Sequence, residues 1–118
     1  MALKYTAQIK PKSEDKTSYR RRKTVAAIDQ QIKLAVELDD AVTSRKAWFW
    51  PADDGYLLSI RYGRKDLELA KGMFSIKCNG IDEVEQALRD VRSMTLKGDL
   101  DEPLRMVSEA IRSRFRPD

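Results

Sequence analysis

Between Arg45 and Gly80 the spacing of apolar residues changes from the three-and-four rhythm of a helix to the every-other rhythm of a strand, and after Gly80 it changes back. Before the switch, Val25, Ile28, Ile32, Ala35 and Leu38 recur at helical spacing, with Asp29, Lys33 and Glu37 on the opposite side. The spacing predicts a helix from an N-cap at Ser18 to about Asp40. Within the switch, Ala47-Trp48-Phe49-Trp50, a turn over Pro51-Ala52-Asp53-Asp54-Gly55, and Tyr56 to Tyr62 read as a hairpin. Gly63-Arg64-Lys65 gives a second turn, Asp66 to Lys71 and Met73 to Cys78 one or two more strands, and Asn79-Gly80 ends the sheet. After it, a helix from about Asp82, with Glu85 completing a capping box, runs to Gly98 with Val84, Ala87, Leu88 and Val91 inward. A last helix runs from about Asp101 to Phe115, with Leu104, Val107, Ala110, Ile111 and Phe115 as its apolar stripe. The expected fold is α+β: a three- to four-stranded antiparallel sheet preceded by a long helix and followed by two helices packed on one face.

The 118 residues suit one domain, and at this size roughly two-thirds of the unfolded chain's surface is buried, enough for a core without metal or disulfide staples. Residues 1–17 read as a basic N-terminal segment: a candidate edge strand in which Leu3, Tyr5, Ala7 and Ile9 alternate with polar residues, then a mobile connector. Residues 18–118 form the α+β domain. The single Cys78 cannot make an internal disulfide, no signal-peptide pattern opens the chain, and no apolar run approaches the ~18 residues of a membrane span. A cytoplasmic protein with no membrane partner is expected.

The sequence holds no His, the commonest general base and metal ligand. Ser13-Glu14-Asp15-Lys16 has acyltransferase spacing but lies in the connector. Asp53, Glu68 and Lys71 resemble a metal-nuclease set, but the Glu-x-x-Lys spacing puts Glu68 and Lys71 on opposite faces of a strand. Cys78 reads as a small core residue. A non-enzyme without cofactor or metal is expected.

Charge placement is more informative. Residues 1–23 carry a net +6, the whole chain +4, and the rest alternates between acidic blocks (24–44 and 78–111) and basic ones (45–77 and 112–118). Arg20-Arg21-Arg22-Lys23 stand in the first turns of the first helix, where the macrodipole already presents positive charge, so an anion is called for. It is either phosphate, which guanidinium forks bind in pairs, or acids of the chain's own acidic blocks. In the sheet, Tyr56, Leu58, Ile60 and Tyr62 share one face; Ser59, Arg61, Ser75 and Lys77 mark the other as solvated and basic. If Trp48 or Trp50 borders that face, aromatic and cationic groups interleave as single strands of nucleic acid require; otherwise both are core or helix-packing residues. Arg64 and Lys65 in the second turn, and Arg112, Arg114 and Arg116 in the tail, add positive charge.

The stretch Arg61-Tyr62-Gly63-Arg64-Lys65-Asp66-Leu67-Glu68-Leu69-Ala70-Lys71-Gly72 resembles the central motif of a family of small domains of unknown function encoded by bacteria and their phages. A basic helix start (Arg21 to Thr24), a strand with paired Trp and the run Ser108-Glu109-Ala110-Ile111-Arg112 are similar too, although here Phe49 separates the tryptophans. The resemblance implies a phage or mobile-element setting. The leading expectation is a non-enzymatic, sequence-tolerant nucleic-acid-binding protein that prefers single strands, using Arg20, Arg21, Arg22, Lys23, Trp48, Trp50, Arg61, Arg64, Lys65 and Lys77. The alternative is a phage-encoded protein-binding modulator of a host enzyme or defence complex, favoured by the acidic blocks. A homodimer through an uncovered sheet edge is also expected.

Overall fold

The computed structural model describes residues 2–9, 15–37 and 46–113. In order it contains α1 (Lys16–Glu37), β1 (Phe49–Ala52), β2 (Gly55–Ser59), β3 (Arg61–Tyr62), β4 (Lys65–Asp66), β5 (Ser75–Cys78), α2 (Ile81–Lys97) and α3 (Asp101–Ser113). The chain is α+β, a long helix followed by a three-stranded antiparallel sheet with two further helices packed against it. The sheet has strand order β1-β2-β5, and β3 and β4 form a separate two-stranded ribbon.

Helix α1 begins two residues before Ser18. Asp15 is the cap: its carboxylate accepts the Ser18 N–H (2.7 Å) and hydroxyl (3.0 Å), so Ser18 answers the cap from the third helical position. The helix buries Arg20, Thr24, Ile28, Gln31 and Ala35, a stripe rotated from the purely apolar one, with Val25 and Ile32 at its margin. Gln31 explains part of that rotation, because its amide donates to the Lys46 carbonyl (2.8 Å) and accepts the Trp48 N–H (2.8 Å), fastening α1 to the start of the sheet. The expected helix end at Asp40, with Leu38, lies outside the described residues, as does the connector over 10–14.

Residues 2–9 do not form the expected edge strand; they pair with no other strand and are exposed throughout. The first hairpin is tighter than expected. Pro51 and Ala52 belong to β1, opposite Tyr56 and Gly55, and the turn is Asp53-Asp54, with Asp53 in the left-handed region at φ 51°. Nor is Tyr56 to Tyr62 one strand: it breaks at Ile60, whose carbonyl accepts the Leu67 N–H (2.7 Å) as the ribbon begins. The core nonetheless takes Leu58, Ile60 and Tyr62 as expected, with Phe49, Leu67, Cys78, Val84, Leu88, Val91, Leu100 and Leu104. Burial raises the Cys78 thiol pKa, and the charge of Glu83 adds to it.

Helix α2 starts at Gly80 without a side-chain cap. The carboxylate that reaches back is Glu83, which accepts the Asn79 N–H; Glu85, the expected capping-box residue, faces Arg89 one turn on (3.3 Å). At its other end Gly98 (φ 90°) donates to the Thr95 carbonyl and Asp99 to that of Met94, stopping the helix where the sequence places the stop. The last residues expected in the final helix, Arg114 and Phe115, lie outside the described residues.

Two substitutions test this packing. A Cβ at Gly55 would lie 2.2 Å from the Cys78 carbonyl oxygen, a backbone atom that cannot step aside, so Gly55→Ala should lower unfolding free energy by roughly 1–3 kcal/mol in urea titration. Thr24 Oγ1 is buried with no hydrogen-bond partner among the described residues, so Thr24→Val, which keeps the shape and removes the hydroxyl, should raise stability by about 1 kcal/mol in the same measurement.

Candidate nucleic-acid interface

The basic run of α1 divides, because successive residues on a helix point about 100° apart. Arg20 is turned inward and only 8% exposed, so it is not offered to a ligand as the sequence suggested. Arg21 crosses to the α2–α3 turn, where Nε donates to Asp101 Oδ1 (2.8 Å) and Nη2 to Oδ2. The guanidinium lies over Gly98, so close that a Cβ there would stand 2.7 Å from Nη2. The place favours both charges, since the C-terminal carbonyls of α2 attract a cation and the N-terminus of α3 a carboxylate. The hydrogen bond from Arg21 holds the Asp101 carboxyl below its ordinary value, with the charges of Arg21 and Arg20 acting the same way, and Asp101 raises the Arg21 pKa in return. For Arg21, then, the anion that the helix start calls for is the chain's own.

Arg22 and Lys23 point outward. Arg22 lies over the Tyr19 ring (5.3 Å), and Lys23 Nζ over the rings of Tyr19 (6.0 Å) and Tyr62 (5.0 Å). Tyr62 belongs to β3, so this contact brings the start of α1 to the ribbon. There Arg61 braces the turn, donating to the Arg64 carbonyl (2.9 Å) with Nε 3.2 Å from Asp66 Oδ1. Arg64 is exposed and Lys65 half-buried. Gly63, at φ 64°, closes on Ile111 of α3, beside which stands exposed Arg112. Lys23 of α1 is thus brought beside the ribbon that carries Arg64 and Lys65.

The register assigns the sheet's two faces. Phe49, Leu58 and Ile76 stand opposite one another on the core side; Trp50, Leu57 and Lys77 do so on the other. Trp50 is 41% exposed and Lys77 exposed. Trp48 comes opposite Ser59, whose N–H donates to its carbonyl (2.9 Å), but is half-buried against the core. Ser59, expected on a solvated surface, is buried there and its hydroxyl faces the same carbonyl (3.4 Å). Past Ser59 the chain continues to Arg61, so the tryptophan end of this face leads toward the basic ribbon. At the opposite end, Asp53 and Asp54 line a hollow of about 240 Å³ that also takes in Lys77.

Asp53, Glu68 and Lys71 are not brought together: Asp53 is in the first hairpin turn, while Glu68 accepts the Gly72 N–H (2.9 Å) and lines, with Lys71, a different cavity. Among the described residues no group of His, Cys, Asp and Glu is placed to hold a metal ion. That second cavity, about 490 Å³, runs between α3 and the β4–β5 connection over Ala70, Phe74, Pro103, Met106, Val107 and Ala110, with charged residues at its rim. The sequence reading missed it: Phe74 falls within an expected strand, Met106 lies outside the apolar stripe expected of the last helix, and their exposure, 44% and 56%, is what marks the place.

No family model, curated protein or solved structure matches the chain.

A pH experiment follows from the Arg21–Asp101 contact. A carboxylate whose folded pKa is depressed contributes stability that is complete above its unfolded value, 3.8 for Asp101, and lost as pH falls through the folded one. Asp101→Asn should therefore lower stability at neutral pH and flatten its fall in acid; part of the fall remains, because Asp15 and Glu102 are shifted the same way. Urea midpoints of both proteins from neutral pH to below pH ~4 check this.

Proposed function

We propose that this chain is a non-enzymatic protein that binds single-stranded nucleic acid with little sequence preference, a base stacking on Trp50 and phosphates meeting Lys77, Lys23, Arg22, Arg64 and Lys65. The observation that carries the reading is the register that lines up Trp50, Leu57 and Lys77 on the sheet's outer face, with the tryptophan end leading to the basic ribbon. Every base has a π face, so stacking of this kind, worth ~1–3 kcal/mol per base, tolerates any sequence. Arg20 and Arg21 drop out of the site, one by burial and one by its bond to Asp101. The phage or mobile-element setting comes from the sequence resemblance of residues 61–72 and is part of the proposal. A second reading, a module that binds a host protein, is favoured by the apolar cavity beneath Phe74 and Met106.

The test is a fluorescence-anisotropy titration of labelled single- and double-stranded DNA and RNA at low and moderate salt, with tryptophan emission followed in parallel. The proposal expects saturable binding, stronger to single strands, with quenching that Trp50→Ala abolishes. It also expects a logarithmic salt slope of about −0.7 per phosphate neutralised, which Lys23→Glu with Arg64→Glu reduces. Absence of binding at low salt, or binding indifferent to salt, contradicts it; a partner captured after nuclease treatment and lost in Met106→Glu then favours the second reading.

A further inference from the structure

The sheet has two outer edges, and the hydrogen-bond phase tells which is open to another strand. Ser59 donates to Trp48, so Leu57 and Gly55 also bond toward β1, and Tyr56 and Leu58 toward β5. It follows that Phe49 and Pro51 turn their backbone groups away from the sheet on the β1 side, and Ser75 and Lys77 on the β5 side. Pro51 has no N–H to offer, which blunts the β1 edge. The β5 edge has no such guard, and among the described residues no strand pairs with it.

A strand-like segment without a partner exists in the same chain. In residues 2–9 Leu3, Tyr5, Ala7 and Ile9 alternate with Lys4, Thr6 and Gln8, a pattern suited to covering one side of a sheet. Yet Leu3, Tyr5 and Ile9 are 73%, 91% and 90% exposed. Beside β5, half-buried Ile76 and the exposed Phe74 continue one face, where such an apolar row would find cover.

We propose that residues 2–9 pair as a β-strand with the free edge of β5 in a second copy of this chain, giving a reciprocal two-fold dimer. Each copy carries one unpaired strand and one unguarded edge, and within a copy the two do not meet, so exchange between two copies satisfies both at once. Leu3, Tyr5, Ala7 and Ile9 then lie on the Ile76 side of the partner's sheet, and Lys4, Thr6 and Gln8 on the Lys77 side.

Sedimentation equilibrium of the full chain over a wide concentration range tests this, with near-UV circular dichroism reporting the core. The proposal expects a reversible dimer that becomes a monomer when residues 2–9 are deleted. Thr6→Pro combined with Ala7→Pro should do the same, because adjacent residues aim their N–H groups to opposite sides and one of the two must face β5. Neither change touches the core. Lys77→Pro, which gives β5 the outward imino group that Pro51 gives β1, should also yield a monomer; if it unfolds, the N-terminal variants decide. A chain that is monomeric at every concentration, or a dimer that survives the deletion, overturns the proposal. So does a monomer whose residue 2–9 amides resist hydrogen exchange, since the segment would then be covering its own chain.

Discussion

The guanidinium of Arg21, laid across Gly98 against Asp101, is the contact on which the arrangement of this molecule turns. It joins the start of α1 to the turn between α2 and α3, elements some 80 residues apart in the chain. Glycine is favoured beneath it by the left-handed φ of 90°, and a Cβ there would press the guanidinium out of place. Two further contacts hold the rest of the long helix: Asp29 meets Arg92 of α2 at 2.7 Å, and Gln31 clasps the backbone on either side of Ala47. Fixed at these points, α1 cannot rotate without breaking all of them, and its rotation decides which of Arg20 to Lys23 reach solvent.

The electrostatic character of the surface follows from that fastening. The sequence is segregated into basic and acidic blocks, but part of the segregation is spent inside the molecule, where Arg21 meets an acid of a distant block. Along α3, Arg105 is held between Glu102 and Glu109, so this helix presents paired rather than bare charge. The exposed surplus of positive charge is correspondingly narrower than the run Arg20-Arg21-Arg22-Lys23 suggests, and it is gathered by tertiary structure around Tyr62.

What the sequence disclosed was whatever depends on local periodicity. The inward row Val84, Leu88 and Val91, the stop at Gly98, the buried Cys78 and the order of long helix, sheet and two helices follow from spacing and from glycine's tolerance of positive φ, whereas the strand expected over Asp66 to Lys71 shrinks to Lys65–Asp66. Hidden features depend on partners far away in sequence. Asp15 and Ser18 are both good capping residues, and only the position of the first helical turn chooses between them. Ser59 reads as a solvent-facing residue, yet it is buried where its N–H and hydroxyl meet the Trp48 carbonyl. The break at Ile60 leaves no mark in an alternating run whose core-facing residues stay in phase across it. Of the candidate site, the register of Trp50 with Lys77 was half legible, since alternation sorts each strand into two faces but does not match the faces of separate strands. The division of the basic run was not legible, because a tetrapeptide at a helix start reveals neither which of its residues turns inward, as Arg20 does, nor the distant acid that takes Arg21.

The most direct measurement of this account is a double-mutant cycle at its central contact, with urea unfolding of the wild type, Arg21→Ala, Asp101→Ala and the double variant at neutral pH and low salt. If the pair fastens α1 to the α2–α3 turn, the second substitution costs much less once the first is made, and the cycle shows a coupling well above error that shrinks as salt is added. Additive losses, or two single variants as stable as the wild type, would show that the helix is held by its apolar contacts alone and that nothing in the fold reserves Arg21 from the surface.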